Sequence, residues 1–203
     1  MSAATTTPKG ELTRSAIVEV AHELFITQGY HGTSMRQIAK DAGIALGGIY
    51  NHFDSKEDVF RTVFLENHPY LEMLPAIESA QGDTIEELVR DAANQMLTAI
   101  NRKPHFLNLM FIEIVEFKSA HTHELFKTTF PRGMQIVQRI AEAEGSLRTI
   151  PPPMLIRAFV GLFFSYHLAE IIIGEAAPPE FRDNAIDYYV DILLHGILEA
   201  GGE

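Results

Sequence analysis

Residues 29–60, GYHGTSMRQIAKDAGIALGGIYNHFDSKEDVF, decide the fold. Ser34 is placed to cap a helix, with Gln37 at the N3 position of a capping box. Met35, Ile38, Ala39 and Ala42 follow the i, i+3, i+4, i+7 spacing and give that helix one apolar face. Gly43 supplies the left-handed residue that ends it. Ile44 and Ile49 anchor a second short helix, Ala45 to His52, whose apolar side Phe53 closes. Asp54 or Ser55 caps a third. Two short helices joined by a tight turn make a helix-turn-helix, the arrangement that lays its second helix in the DNA major groove.

Upstream, Thr13 reads as the cap of a helix with the stripe Ile17, Val20, Ala21, Leu24 and Phe25, ending at Gly29. Downstream, Ser55 and Asp58 open a helix with Val59, Phe60, Val63 and Phe64 inside, which Pro69 and Pro75 kink or end. Thr84 and Glu87 form another capping box, and Pro104 suits the first turn of a helix over His105–Phe117 that is apolar nearly all round. A long helix follows from about His123 to Glu144, kinked at Pro131, then a stiff loop from Leu147 to Pro153. Helices Met154–Ile173 and about Glu180–Ala200 complete the chain. No stretch alternates like a strand, so the fold class is all-α with about nine helices. The expected organisation is a disordered arm over 1–10, a helix-turn-helix domain over 11–54, and a helical body over 55–203 that begins with a linking helix over 55–68.

Composition narrows the function. The chain has 203 residues, 46% of them hydrophobic, and no cysteine. Disulfides, thiolate nucleophiles and cysteine zinc sites are thereby excluded, in keeping with a reducing cytoplasm. The net charge of −11 argues against a strongly basic nonspecific DNA binder, but the acidity lies mostly in the body. The first 60 residues hold five Lys/Arg against seven Asp/Glu. The apolar run Met154–Ile173 is interrupted by Arg157, His167 and Glu170, so a buried interface helix is expected and no membrane partner. No Ser-His-Asp order, paired-carboxylate motif or phosphate loop stands out, so no enzymatic activity and no cofactor is expected. His121-Thr122-His123-Glu124 invites a metal reading, but histidines two apart on a helix diverge and no third ligand is evident; no metal is expected.

The same stretch resembles the N-terminal domain of TetR-type (tetracycline-repressor-like) transcriptional regulators. The matching residues are Phe25, Gly29-Tyr30, Thr33-Ser34, Ile38-Ala39, Ala42-Gly43, Gly47, Ile49-Tyr50, Phe53 and Ser55-Lys56-Glu57, dense over about a quarter of the chain. The resemblance implies phosphate contacts from Tyr50 and Lys56, with Thr33, Ser34 and Arg36 opening the preceding helix against the DNA backbone. Base readout would fall to Ala45, Leu46, Gly48, Asn51 and His52, with Gly47 among the DNA-binding residues of the same helix. The family often carries hydroxyl or basic residues at Ala45, Leu46 and Gly48, and those donors are absent here.

The resemblance also implies an effector cavity and a homodimer. The aromatic- and methionine-rich body supplies the candidate lining: Phe106, Met110, Ile114, Phe130, Met134 and Phe163, with Glu113 or His167 orienting a small, largely apolar effector. The last two helices offer the dimer face, Phe159, Leu162, Tyr166, Tyr189, Leu193 and Ile197. The expectation is a cytoplasmic, ligand-responsive homodimer on a palindromic double-stranded DNA operator, acting as a repressor. A small-molecule-binding protein with a vestigial DNA domain, and an activator without an effector, are the alternatives.

Overall fold

The computed structural model describes residues 9–197; residues 1–8 and 198–203, and the side chains of Lys9, Glu175, Phe181, Arg182 and Ile197, lie outside that description. The described residues form eleven α-helices and one short 3-10 helix, Gly174–Ala176, and hold no β-strand. In order the helices are α1 (Lys9–Gly32), α2 (Met35–Asp41), α3 (Leu46–Ile49), α4 (Lys56–Asn67), α5 (Tyr70–Glu78) and α6 (Ile85–Asn101). They continue with α7 (Phe106–Phe117), α8 (Ala120–Ala141), α9 (Pro152–Ile172), α10 (Pro179–Arg182) and α11 (Ala185–Ile197). Nine of them run seven residues or longer.

Contacts divide the described residues into two compact units, those up to 68 with 105–125, and those of 69–104 with the rest from 126 on. The first unit is built on the stripe read from α1. Ile17, Ala21 and Phe25 are fully buried against Ile38 of α2, Ile49 of α3 and Val59, Phe60, Val63 and Phe64 of α4. Residues 55–68 therefore pack as a wall of this core. From α7, Leu109 is buried in the same cluster, with Met110, Ile112 and Phe117 packed on it. Phe60 is the hub: its ring lies 5.4 Å from Phe25, 5.7 Å from Tyr30, 4.8 Å from Phe117 and 6.1 Å from His121. Buried Glu113 joins α7 to the start of α8. Its carboxylate accepts from the backbone N–H groups of His121 and Thr122 at 2.7 and 3.1 Å, and pairs with His121 Nδ1 at 2.8 Å. It thus satisfies donors that a helix start leaves open.

The second unit is organised around α6. The Thr84–Glu87 capping box is complete, and nine residues of α6 are buried, from Ile85 through Ile100. Met73 and Ile77 of α5, Phe163 of α9 and Val190, Leu193 and Leu194 of α11 close the core. Arg132 pairs with Glu78, and Arg139 donates to the carbonyls of Glu78 and Ala80.

Several boundaries differ from the sequence expectation. Thr13 lies inside α1, which already runs at Lys9 and Gly10, within the expected arm; the rest of that arm lies outside the described residues. Gly29 does break α1, with φ 73° and ψ 174°, but one more turn follows. Pro69 starts a helix rather than ending one: it precedes α5, and Pro75 sits inside it. Proline suits a first turn because its missing N–H would have no partner there. For the same reason α9 begins at Pro152 with the prolines in its first turn. The expected last helix is two pieces, because Asn184 takes a left-handed φ of 57° between α10 and α11.

Two outcomes test this core. Phe60→Ala should cost about 3–5 kcal/mol in denaturant unfolding, since the ring is fully buried among other aromatics. His68, enclosed by Phe64 and Phe106, has its pKa lowered to about 3 by burial. The unfolded chain therefore binds a proton that the folded chain refuses between pH 6.5 and 3. Stability should fall with acidification across that window, by at most about 1.4 kcal/mol per pH unit from this group. His68→Gln should remove that part of the slope.

Candidate nucleic-acid interface and body cavity

Local chemistry fixes the turn between α2 and α3. Ser34 Oγ accepts from the Gln37 N–H at 3.2 Å. The Gln37 side chain does not complete the box; it donates to Gln28 Oε1 at 3.1 Å. Gly43 has φ 71°, a conformation that costs glycine nothing. The Ile44 N–H then reaches back to the Ala39 carbonyl at 2.9 Å. Helix α3 is shorter than the expected Ala45–His52. Ala45 is its N-cap and has no side-chain oxygen to hold the first turn, and two glycines occupy its middle. Buried Ile49 and Phe53 pin it from below.

Above that anchor the surface is open. Leu46 and Tyr50 are 38% and 51% exposed, unusual for large apolar-bodied side chains in so tight a unit. Ser34, Arg36, Ala45, Gly47 and Asn51 are exposed beside them, and Gly48 and His52 half-buried. Two expected contact residues are engaged inside instead. Thr33 is buried, and its hydroxyl donates to the Gly29 carbonyl at 2.9 Å. Lys56 Nζ donates to the carbonyls of Tyr30 at 2.7 Å and Thr33 at 2.8 Å, and lies 4.1 Å over the Tyr30 ring. Burial lowers its pKa, with Glu116 opposing the shift. Lys56 therefore satisfies the carbonyls exposed where α1 breaks, a role that sequence spacing does not reveal.

The second unit contains a cavity of about 130 Å³. Its wall comes from α5, α6, α8, α9, Leu147 and Leu193 of α11. Of the expected lining, only Phe130 borders it. Phe106, Met110, Glu113 and Ile114 belong to α7 in the first unit: Phe106 packs on His68, Met110 on the helix-turn-helix core, and Glu113 caps α8. Ile114 is exposed. The continuous apolarity of α7 thus serves a core and an open face rather than a cavity. Phe163 and His167 are buried in the second unit off this wall, and Met134 is half-buried. Burial lowers the His167 pKa, and its Nε2 meets no partner among the described residues. His121, bound to Glu113 on a helix, is not on the loop that a metal reading needed.

The expected dimer residues divide in the same way. Leu193 is buried in the core of its own unit and, like Phe159, borders the cavity. Leu162, Tyr166 and Tyr189 are half-buried, and the Ile197 side chain is not described. The exposed apolar residues on these helices are Met154, Ile171, Ile172, Tyr188 and Ile192. Helix α9 is long and apolar enough to cross a membrane by length and composition, yet Phe163 seats it in the core.

Residues 17–63 match the profile of a family described as "Bacterial regulatory proteins, tetR family". Over this stretch the chain is similar to tetR-family regulatory proteins. The HTH-type transcriptional regulator SrpR of Pseudomonas putida is 35% identical over 68 residues, 34% of this chain and 32% of that protein. The regulator AcrR of Shigella flexneri is 42% identical over 59 residues, 29% of this chain and 27% of its own. The matched stretch thus spans about a third or less of these relatives. The fold likeness runs further. The fatty acid degradation regulator FadR of Bacillus halodurans superposes over 94% of this chain and 97% of its own, with a TM-score of 0.71 and 19% identity. The all-α fold is therefore shared with that structure.

The geometry makes two stability predictions. A methyl group added at Gly47 meets nothing within 4 Å, so Gly47→Ala should stabilise the protein by up to about 1 kcal/mol in thermal or denaturant unfolding. Lys56→Ala removes a donor from both carbonyls, of which Tyr30's keeps the Thr33 N–H at 3.3 Å, and should cost about 1–3 kcal/mol in the same assay, without any DNA present.

Proposed function

We propose that this protein is a homodimeric DNA-binding transcriptional regulator, a repressor released from a palindromic operator by a small, largely apolar effector. The observation that carries the reading is the exposed Leu46–Tyr50 surface on a helix pinned from below by Ile49 and Phe53, inside a domain of tetR type. Tyr50 would donate to a phosphate, while Ala45 and Leu46 can touch thymine methyl groups and Asn51 can pair with adenine. Ser34 and Arg36 flank the backbone path. Lys56, held by two carbonyls, has one donor left for a phosphate and otherwise fixes the turn that presents α2.

One helix-turn-helix reads few bases, so a two-fold dimer on a palindrome is the physical expectation. The open apolar residues of α9 and α11 supply a surface for it. A dimer seated on an operator blocks whatever else must bind there. An effector releases it only by binding the DNA-incompetent state more tightly, and by that differential alone. The absence of donors at Ala45, Leu46 and Gly48 favours a second reading, a small-molecule-binding protein whose DNA domain is vestigial.

Selection from a random duplex pool separates the two. The regulator reading expects a two-fold symmetric site to be enriched, with discrimination resting on A·T pairs and DNA shape; a pool that stays random favours the vestigial reading. Tyr50→Phe should weaken binding to the selected site and to mismatched sites alike, by several-fold for one lost hydrogen bond. In sedimentation, Ile192→Glu should give folded monomers, because Ile192 is exposed in the single chain. Leu193→Glu should unfold the chain instead, being buried in it. A dimer that survives Ile192→Glu removes this face from the interface.

A further inference from the structure

The body cavity limits what it can hold. Its volume of about 130 Å³ is close to that of apolar cavities, ~150 Å³, that stay dry and take up benzene. Among the described residues no Asp, Glu, Lys, Arg or His borders it. Among them Tyr70 and Thr129 bring its polar side-chain atoms. Thr129 donates to the Phe126 carbonyl at 3.5 Å. Burial raises the Tyr70 pKa, so the phenol stays neutral. A carboxylate seated here would lose its water with no cation in exchange. Three phenylalanines add aromatic wall. Phe126 and Phe130 lie 5.0 Å apart at 33°, with Phe126 about half exposed at the solvent side, and Phe159 closes from α9. Ring faces and edges favour an aromatic guest over an alkyl one of equal volume.

We propose that this cavity binds an uncharged guest of about one six-membered ring, a monocyclic aromatic hydrocarbon, and excludes carboxylates and long acyl chains. The regulatory significance of that guest rests on the effector reading above; its binding does not.

Toluene, benzoate and decanoate are the probes, titrated by calorimetry and by thermal unfolding of the full chain. Toluene should bind once per chain and raise Tm, with benzoate and decanoate at least about 100-fold weaker, given the cost of burying an unpaired carboxylate. Gly133 borders the cavity from α8, and a Cβ there would meet Ile156 Cδ1 at 3.4 Å. Gly133→Leu should occupy the space and abolish toluene binding, with the press on Ile156 leaving Tm without ligand level or lower. Val137→Phe, one turn further along α8, should do the same and serves if the first variant fails to fold.

Absence of toluene binding up to its solubility would overturn the proposal. So would equal affinity for benzoate or decanoate, or toluene binding that survives a folded cavity-filling variant. A parallel titration of selected operator DNA separates the two readings. Toluene that binds in the cavity yet leaves DNA affinity unchanged upholds the guest assignment and removes the effector role.

Discussion

The first unit depends on one ring. Phe60 is fully buried, and the aromatic side chains around it come from α1, α4, α7 and the start of α8. Tyr30 lies at its edge, and the same Tyr30 carries Lys56 over its face and offers it a carbonyl. The position of the turn before α2 is thus tied, through two contacts, to the centre of the core. Exposed Leu46 and Tyr50 owe their orientation to the same packing, because Ile49 and Phe53 can be buried only with α3 turned that way. A short helix containing two glycines has little intrinsic stability, and tertiary burial holds it.

The second unit solves a different problem. Helix α6 carries three buried alanines, Ala92, Ala93 and Ala99, and α5 and α11 come in against it. The wider spacing left between α5, α8 and α9 is the cavity. Among the described residues its lining carries no charged side chain. The exposed isoleucines of α9 and α11 and the packed face of the same helices do separate work, and Ile192 and Leu193, adjacent in sequence, fall on opposite sides of that division.

What the sequence made legible is what local chemistry decides. The Ser34 cap, the Gly43 turn, the Thr84–Glu87 box and the stripe on α1 are each set by residues within a turn or two of one another. Helix α5 was hidden because Pro69 and Pro75 read as breakers, though one of them stands where proline is tolerated. The division at Asn184 rested on a single left-handed residue within an apolar pattern that otherwise continues. The cavity was the least legible part. Its wall draws on five helices, including the unforeseen α5, and apolarity along α7 gave no indication of which core it served. Lys56 shows the same limit at the candidate nucleic-acid interface: the sequence offers no sign of the two carbonyls 23 and 26 positions earlier that hold it.

The first unit is discontinuous in the chain, and synthesis runs in one direction. Phe60 leaves the ribosome well before Leu109, Phe117 and His121, which complete its surroundings. Between them come α5 and α6, which belong to the other unit. The nascent N-terminal helices must therefore wait with an incomplete aromatic core while a separate body begins to assemble behind them. For the same reason residues 17–63 alone lack Leu109 and Phe117 of α7; the packed unit is completed by 105–125.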